Sequence, residues 1–254
     1  MKSVSVSKRR KKILDLLFDV NEMHISSLTN FFNVSDETIR KDLMELEKDG
    51  YVRREHGGVV LISKNDEEPI IKREFDFSKQ KEDIAKAALT FLNETNSDVI
   101  AIDAGSSTYL LAKLLAEHKG YTIVTNSLLI AGAFDKNNDV IVLGGQMRCK
   151  DMSLYGKITI DNIKDMTVST SFIGTSGVAN RNGVCAVSFD TAEYKKVLIK
   201  NSGTVVVLCD SSKFVKNSLT EVVDWSQVDV VITDSGISED DANKIREKTQ
   251  LCIV

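Results

Sequence analysis

Apolar residues recur at helical spacing over the first fifty positions and in short unbroken runs afterwards, and this change of rhythm divides the chain. Ile13, Leu17 and Val20 fall at i, i+4 and i+7, which predicts a short amphipathic helix over Lys8–Val20. Ser26 and Ser27 open a second helix with apolar positions Leu28, Phe31 and Phe32, and Asn33-Val34 reads as a tight turn. Ser35 then stands as an N-cap before Asp36 and Glu37, whose charges favour a helix start. Over Asp36–Lys48, residues Ile39, Leu43 and Leu46 form one apolar stripe, and Gly50 ends the helix. Tyr51–Arg54 and Val59–Ile62 read as two short strands around the glycine turn Glu55–Gly58.

Ser63–Ser78 carries the only proline, Pro69, and a charged run, so it reads as a linker. Beyond it, Val99–Ile102, Thr122–Val124, Val140–Leu143, Val168–Ile173, Val205–Leu208 and Val230–Ile232 are short β-branched runs. Helical segments are expected at Ile84–Leu92, Thr108–Leu115, Leu128–Phe134, Thr191–Lys200 and Glu239–Lys248. Near-continuous apolar strands alternating with helices predict an α/β domain, a mostly parallel, doubly wound sheet covered on both faces. The division expected is a head at 1–62, a linker at 63–78 and a body at 79–254.

Composition narrows the classes. Apolar residues make up 42% and charged residues 28%, ordinary for a globular chain and too apolar for a disordered one. The net charge of −4 is unevenly spread: residues 1–60 hold 11 basic and 10 acidic side chains, the remainder 22 and 27. Lys2, Lys8, Arg9, Arg10, Lys11 and Lys12 make a basic arm on an acidic body, an asymmetry that points to nucleic acid. Cys149, Cys185, Cys209 and Cys252 are too widely spaced for a zinc finger and are expected to be buried, reduced thiols. Neither a metal nor a cofactor is expected. No apolar run is long enough for a membrane span, and the basic N-terminus leads into a charged helix, so a cytoplasmic location is expected. His24 and His118 are expected near solvent and Trp225 as a packing anchor.

Helices joined by a short turn and followed by a two-stranded ribbon describe a winged helix-turn-helix. Turning Ile39, Leu43 and Leu46 inward places Glu37, Arg40, Lys41 and Met44 outward, towards a major groove, with Thr38 near the reading end. Arginine bonds a guanine edge through two donors, while lysine mostly positions on phosphate. Arg53, Arg54 and His56 lie on the wing near a flanking phosphate or minor groove, and Gly57-Gly58 permits close backbone approach. Singly, these cations read equally well as a solvated face.

The stretch NVSDETIRKDLMELEKDGYVRREHGG, residues 33–58, resembles the DeoR family of bacterial transcription regulators, with Lys41 where that family more often has Arg. The resemblance continues through the body. In VIAIDAGSST, residues 99–108, a strand leads into a small-residue loop and a helix; Gly105 allows the turn, and Ser106, Ser107 and Thr108 supply hydroxyls beside backbone N–H groups suited to an anion. Asn126 and Ser127, Gly144-Gly145, Ser176-Gly177, and Asp210 with Lys213 each follow an expected strand and are expected to converge on one crevice. Asp103 and Asn126 would serve hydroxyls, and Lys213 a phosphate. The resemblance implies a sensor domain similar in fold to ribose-5-phosphate isomerase, a phosphorylated sugar or related metabolite as effector, double-stranded operator DNA as partner, and a homo-oligomer, dimer or tetramer. Two departures are the GSST loop and Ser176, where the family commonly has Asp before the glycine. Arg73 and Lys81 match basic positions seen between head and sensor in the family.

The resulting expectation is a repressor of a carbohydrate-utilisation operon, released by a phosphorylated sugar, with no catalytic residues. The alternative is a sugar-phosphate isomerase-like enzyme with an accessory DNA-binding head, for which Asp103 and Asp210 are the only strand-end acids available as a base. A non-specific architectural DNA protein fits poorly with an acidic body.

Overall fold

The chain divides into two units, Met1–Asp66 and Glu67–Val254. The computed structural model describes residues 9–61, apart from 11, 14, 15, 18, 19, 21, 49–51 and 56, and residues 77–254, apart from 96 and 150. Most of the expected linker, with Pro69 and Arg73, and the wing residue His56 lie outside the described residues.

In the first unit, Arg9, Arg10, Lys12, Ile13, Leu16, Leu17 and Val20 are helical. They are followed by β1 (Glu22–His24), α1 (Ile25–Phe32), α2 (Asp36–Lys48), β2 (Val52–Glu55) and β3 (Gly58–Leu61). The strands form an antiparallel sheet in the order β1-β3-β2. Helix α1 begins at Ile25, with His24 in the cap position making no side-chain bond, so Ser26 and Ser27 sit inside its first turn. It ends at Asn33, whose left-handed φ of 51° lets the Val34 N–H donate back to Thr29 O at 3.3 Å. Ile13, Leu17, Ile25, Leu28, Ile39, Leu43, Leu46, Val52 and Val59 make the core. Two residues expected there are exposed: Val20, and Phe31, which instead packs edge-on against Phe32 with ring centroids 5.0 Å apart.

The second unit opens with α3 (Ser78–Asn93), which starts at the last residue of the expected linker and buries Lys81 rather than leaving it solvated. It continues through β4 (Val99–Ile102), α4 (Ser106–Leu115), β5 (Thr122–Thr125), the single turn α5 (Leu128–Ala131), β6 (Asp139–Val142), β7 (Gln146–Arg148), β8 (Ser153–Tyr155), α6 (Lys157–Ile163) and β9 (Val168–Gly174). After these come β10 (Gly183–Ala186), α7 (Phe189–Lys200), β11 (Ser202–Leu208), β12 (Thr220–Asp224), β13 (Val230–Thr233), α8 (Glu239–Arg246) and β14 (Gln250–Ile253). Seven strands form one parallel sheet in the order β14-β13-β11-β9-β4-β5-β6.

Alternate residues of each strand serve opposite faces. Ile100, Ile102, Val206 and Leu208 pack with Ile84, Leu92, Leu111 and Leu115 of α3 and α4. Ala101, Val205 and Val207 pack on the other side with Ile163 of α6, Tyr194 and Leu198 of α7, and Ile245 of α8. Both faces of the inner strands are therefore dry, which is why those strands read as unbroken apolar runs, while the edge strands β6 and β14 are partly exposed. The chain starts mid-sheet at β4, runs out to the β6 edge, then returns to place β9 on the other side of β4. The β4–β9 boundary is the switch point at which an open α/β sheet leaves a crevice beyond its strand ends.

Trp225 is buried as expected. Of the thiols, only Cys185 and Cys209 are buried; Cys149 is exposed and Cys252 partly so. Burial pushes the Cys185 thiol up to about 11 and the Cys209 thiol up to about 12.

Candidate functional site

Helix α2 presents its expected outer face. Ile39 and Leu43 are fully buried, while Glu37, Arg40, Lys41 and Met44 are exposed. Ser35 caps the helix by accepting the Thr38 N–H at 3.3 Å, and the two hydroxyls lie 2.9 Å apart, so both are engaged at the helix start. Arg40 pairs with Asp36 at 3.5 Å and Lys41 with Glu37 at 2.9 Å, and Lys41 holds the Glu37 carboxyl below its usual range. These exposed i,i+4 pairs are weak, so a phosphate or base edge can displace them. On the wing, Arg53 pairs with Glu55 at 2.6 Å and Arg54 with Glu47 at 2.6 Å, and Gly57 takes a φ of +78° that suits glycine. Part of the basic arm is spent internally: Arg9 and Arg10 both bind the buried Asp42 of α2, Arg10 at 3.1 Å.

In the second unit a cleft opens at the switch point. Its lining comes from three loops and one helix: Ala104 to Thr108 after β4, Gly174 to Ser176 after β9, Leu208 and Lys213 from β11 and its following turn, and Lys195 from α7. Thr108 donates to the carbonyls of Asp103 at 2.6 Å and Gly105 at 2.9 Å, folding the β4 loop onto the start of α4. The first backbone bond there runs from the Tyr109 N–H to Gly105 O at 2.9 Å. The amides of Ser106, Ser107 and Thr108 precede it, at a helix N-terminus of the kind suited to an anion. The Thr108 hydroxyl thus shapes the loop, leaving Ser106 and Ser107 as the hydroxyl donors at this end of the cleft.

Lys195 is the residue that sequence reading missed. Its side chain is 5% exposed, its ammonium lies 2.8 Å from Asp103 Oδ2, and it donates to Gly174 O. Asp103, expected to serve a sugar hydroxyl, also accepts the Gly174 N–H at 3.2 Å and is fully buried, outside the cleft lining, where it anchors Lys195 and the β9 loop. The neighbouring Tyr194 hydroxyl is buried with no hydrogen-bond partner, and burial, followed by the charge of Asp103, drives its pKa well above the ordinary phenol value. The β9 loop is in turn zipped to the turn after β11, Val178 N–H donating to Lys213 O at 2.8 Å and Ala179 N–H to Lys216 O at 2.9 Å. A Cβ on Gly177 would lie 2.5 Å from Lys216 O, so this glycine serves that close approach, and the zipper holds Ser176 and Lys213 at one cleft.

The remaining expected effector residues do not line the cleft. Asn126 is fully buried, accepting the Ala104 N–H at 3.1 Å and donating to Leu154 O at 3.2 Å, which makes it a brace for the β4 loop. Ser127 caps α5 by accepting the Ile130 N–H at 3.3 Å. Asp210 is buried and caps the turn ending at Lys213, accepting the Ser212 N–H at 3.1 Å. Gly144 and Gly145 follow β6, the edge strand, and pack against α6; a Cβ on Gly145 would lie 2.2 Å from Thr159 Oγ1. Among the described residues no group of acids, histidines and cysteines could hold a metal ion, and no helix is long and apolar enough to cross a membrane.

Residues 9–65 match the DeoR-like helix-turn-helix domain, and residues 76–235 match the DeoR C terminal sensor domain. The chain belongs to the DeoR family. As a DeoR protein it is a DNA-binding transcriptional regulator with a small-molecule sensor domain. It is 29% identical to the glycerol-3-phosphate regulon repressor of Escherichia coli (strain K12), over 90% of this chain and 91% of that protein. It is 30% identical to the transcriptional repressor AccR of Agrobacterium fabrum, over 96% of each. Among solved structures it is similar to ribose 5-phosphate isomerase A from Methanocaldococcus jannaschii, at 18% identity over 53% of each chain with a TM-score of 0.38. In this DeoR regulator the one sequence trace of Lys195 is its spacing: Thr191, Lys195 and Leu198 occupy i, i+4 and i+7 of α7, the buried stripe.

Proposed function

We propose that this regulator represses a carbohydrate-utilisation operon and is released from its operator by a phosphorylated sugar or related metabolite. In this reading residues 1–62 bind DNA, 63–78 link, and 79–254 sense the effector and assemble a cytoplasmic homo-oligomer. The observation that carries it is the cleft at the β4–β9 switch point, where a helix N-terminus, Ser106, Ser107, Ser176, Lys195 and Lys213 converge with no carboxylate in the lining. Asp103 offsets the charge of Lys195, so net positive potential collects at the α4 and Lys213 end. The phosphate belongs there, and a hydroxyl or carbonyl belongs beside Lys195. Its likeness to a glycerol-3-phosphate regulon repressor supports an effector of this chemistry.

Turnover is disfavoured. An isomerase needs a carboxylate positioned to move a proton between carbons. Asp103 is committed to Lys195 and Asp210 to Ser212, and neither lines the cleft.

A thermal-shift screen of the full chain against phosphorylated sugars and their unphosphorylated counterparts tests the reading. A ligand present at 100 times its dissociation constant adds about 2.7 kcal/mol to native stability. The expected result is a stabilising ligand that needs its phosphate and loses its effect in Lys213→Ala. Stabilisation by sugars irrespective of phosphate, or unchanged in Lys213→Ala, contradicts the assignment.

A further inference from the structure

Helix α2 is an unusual surface to bring to DNA, because its thirteen residues carry five acids, Asp36, Glu37, Asp42, Glu45 and Glu47, against three bases. Each acid there opposes phosphate unless it has other work. For Glu47, the penultimate residue of the helix, that work is visible. Its Oε1 accepts the backbone N–H of Arg54 at 2.9 Å, and its Oε2 accepts the Arg54 Nε at 2.6 Å. Strand β2 is an edge of its sheet, and Arg54 uses its amide on Glu47 rather than in the ladder with β3. One carboxylate therefore satisfies an open-edge amide and a guanidinium together, and both contacts hold the Glu47 carboxyl below its usual range.

We propose that Glu47 is the positioning residue that fixes the wing against the recognition helix, and that Arg54 supports DNA binding through Glu47 rather than by contacting phosphate. This rests on α2 and the β2–β3 ribbon being the DNA-reading unit. It replaces the expectation that Arg54 is a wing cation aimed at the backbone. It also sets Arg54 apart from Arg53, whose partner Glu55 lies two residues along the same strand.

The two roles differ in sign and in salt dependence. Removing a carboxylate near DNA ordinarily tightens binding. Removing a phosphate contact lowers the slope of log affinity against log salt by about 0.9. The test uses full-length protein and a duplex that the wild type enriches from a randomised pool, with dissociation constants measured from 50 to 200 mM salt for Glu47→Ala, Glu47→Gln, Arg54→Ala and the double alanine variant. The expected result is that Glu47→Ala and Arg54→Ala each weaken binding by roughly three- to tenfold. Their salt slopes should stay at the wild-type value, the double variant should bind no worse than either single one, and Glu47→Gln should retain part of the affinity by keeping an acceptor for the amide. Tighter or unchanged binding by Glu47→Ala, additive losses in the double variant, or a slope reduced by about 0.9 in Arg54→Ala overturns the proposal. If the wild type enriches no duplex at all, the reading-unit assignment itself fails, a separate result.

Discussion

Replacing Lys195 by Met removes a cation that pairs with Asp103 inside the sensor unit. Asp103 is fully buried and the Lys195 side chain is 5% exposed, so water cannot take over from the missing ammonium. Breaking a buried pair by deleting one partner costs about 3–5 kcal/mol, because the other charge is left in a low-dielectric site. The sensor unit spans Glu67–Val254, a size at which each kcal/mol moves the melting temperature by about 2–4 °C. Lys195→Met should therefore lower the sensor transition by roughly 6–20 °C. Adding Asp103→Asn should recover much of this loss, since a neutral amide oxygen still accepts the Gly174 N–H and no charge remains to be buried. Calorimetry of the full-length protein reads both variants. A Lys195→Met melting temperature within about 2 °C of wild type, or a double variant no more stable than Lys195→Met, would refute the argument that Lys195 and Asp103 form a stabilising buried pair.

Arg40→Ala should cost about 1–3 kcal/mol of operator affinity and relax base choice at a single position, read by titrating duplexes with one substituted base pair each; unchanged affinity means that α2 does not turn Arg40 to the groove. Gly145→Ala should destabilise the sensor by about 1–3 kcal/mol in urea titration, because its φ of +142° and its approaches to Thr159 Oγ1 and the Tyr155 carbonyl leave no room for a methyl group. Hydrogen bonding from Lys248 holds the Asp224 carboxyl at about 2, below its ordinary 3.8. Its folded value is the lower one, so its contribution is complete above 3.8 and is lost as pH falls towards 2. Asp224→Asn should flatten the acid limb of stability across that window, and an unaltered limb would show that the pair contributes nothing.

The fold was legible wherever burial imposed a rhythm. Ile39, Leu43 and Leu46 mark α2 by spacing alone, and the inner strands of the central sheet are visible because both of their faces are dry, whereas β14, a partly exposed edge strand, was missed. What escaped were pieces too short to carry a period: β1 with three residues, the β7–β8 hairpin, and the β10–β12 pair, whose partners are separated by a helix and a strand. The site was legible in outline, since the β4, β9 and β11 loops do meet. Gly144-Gly145 fell outside it because sequence shows that a loop follows a strand but not where that strand lies in the sheet, and β6 is two places from β4. Asp103, Asn126 and Asp210 were recognised as strand-end polar residues, yet their partners are backbone groups and a lysine some ninety positions away, which spacing cannot reveal. Lys195 reads as one of two adjacent lysines on a helix. Only its place on the buried stripe of α7 separates it from Lys196, which is exposed.

The central claim is that a phosphorylated ligand in the β4–β9 cleft controls the hold on DNA. Such a ligand shifts the DNA-binding equilibrium only by the difference between its affinities for the free and bound forms. The most direct measurement is fluorescence anisotropy of a labelled, protein-enriched duplex held by the regulator while a stabilising sugar phosphate is titrated in, beside its unphosphorylated counterpart and beside Lys213→Ala. The account predicts that the duplex is released by the phosphorylated ligand alone and stays bound in Lys213→Ala. A duplex that remains bound or is held more tightly as that ligand saturates the wild-type protein contradicts it.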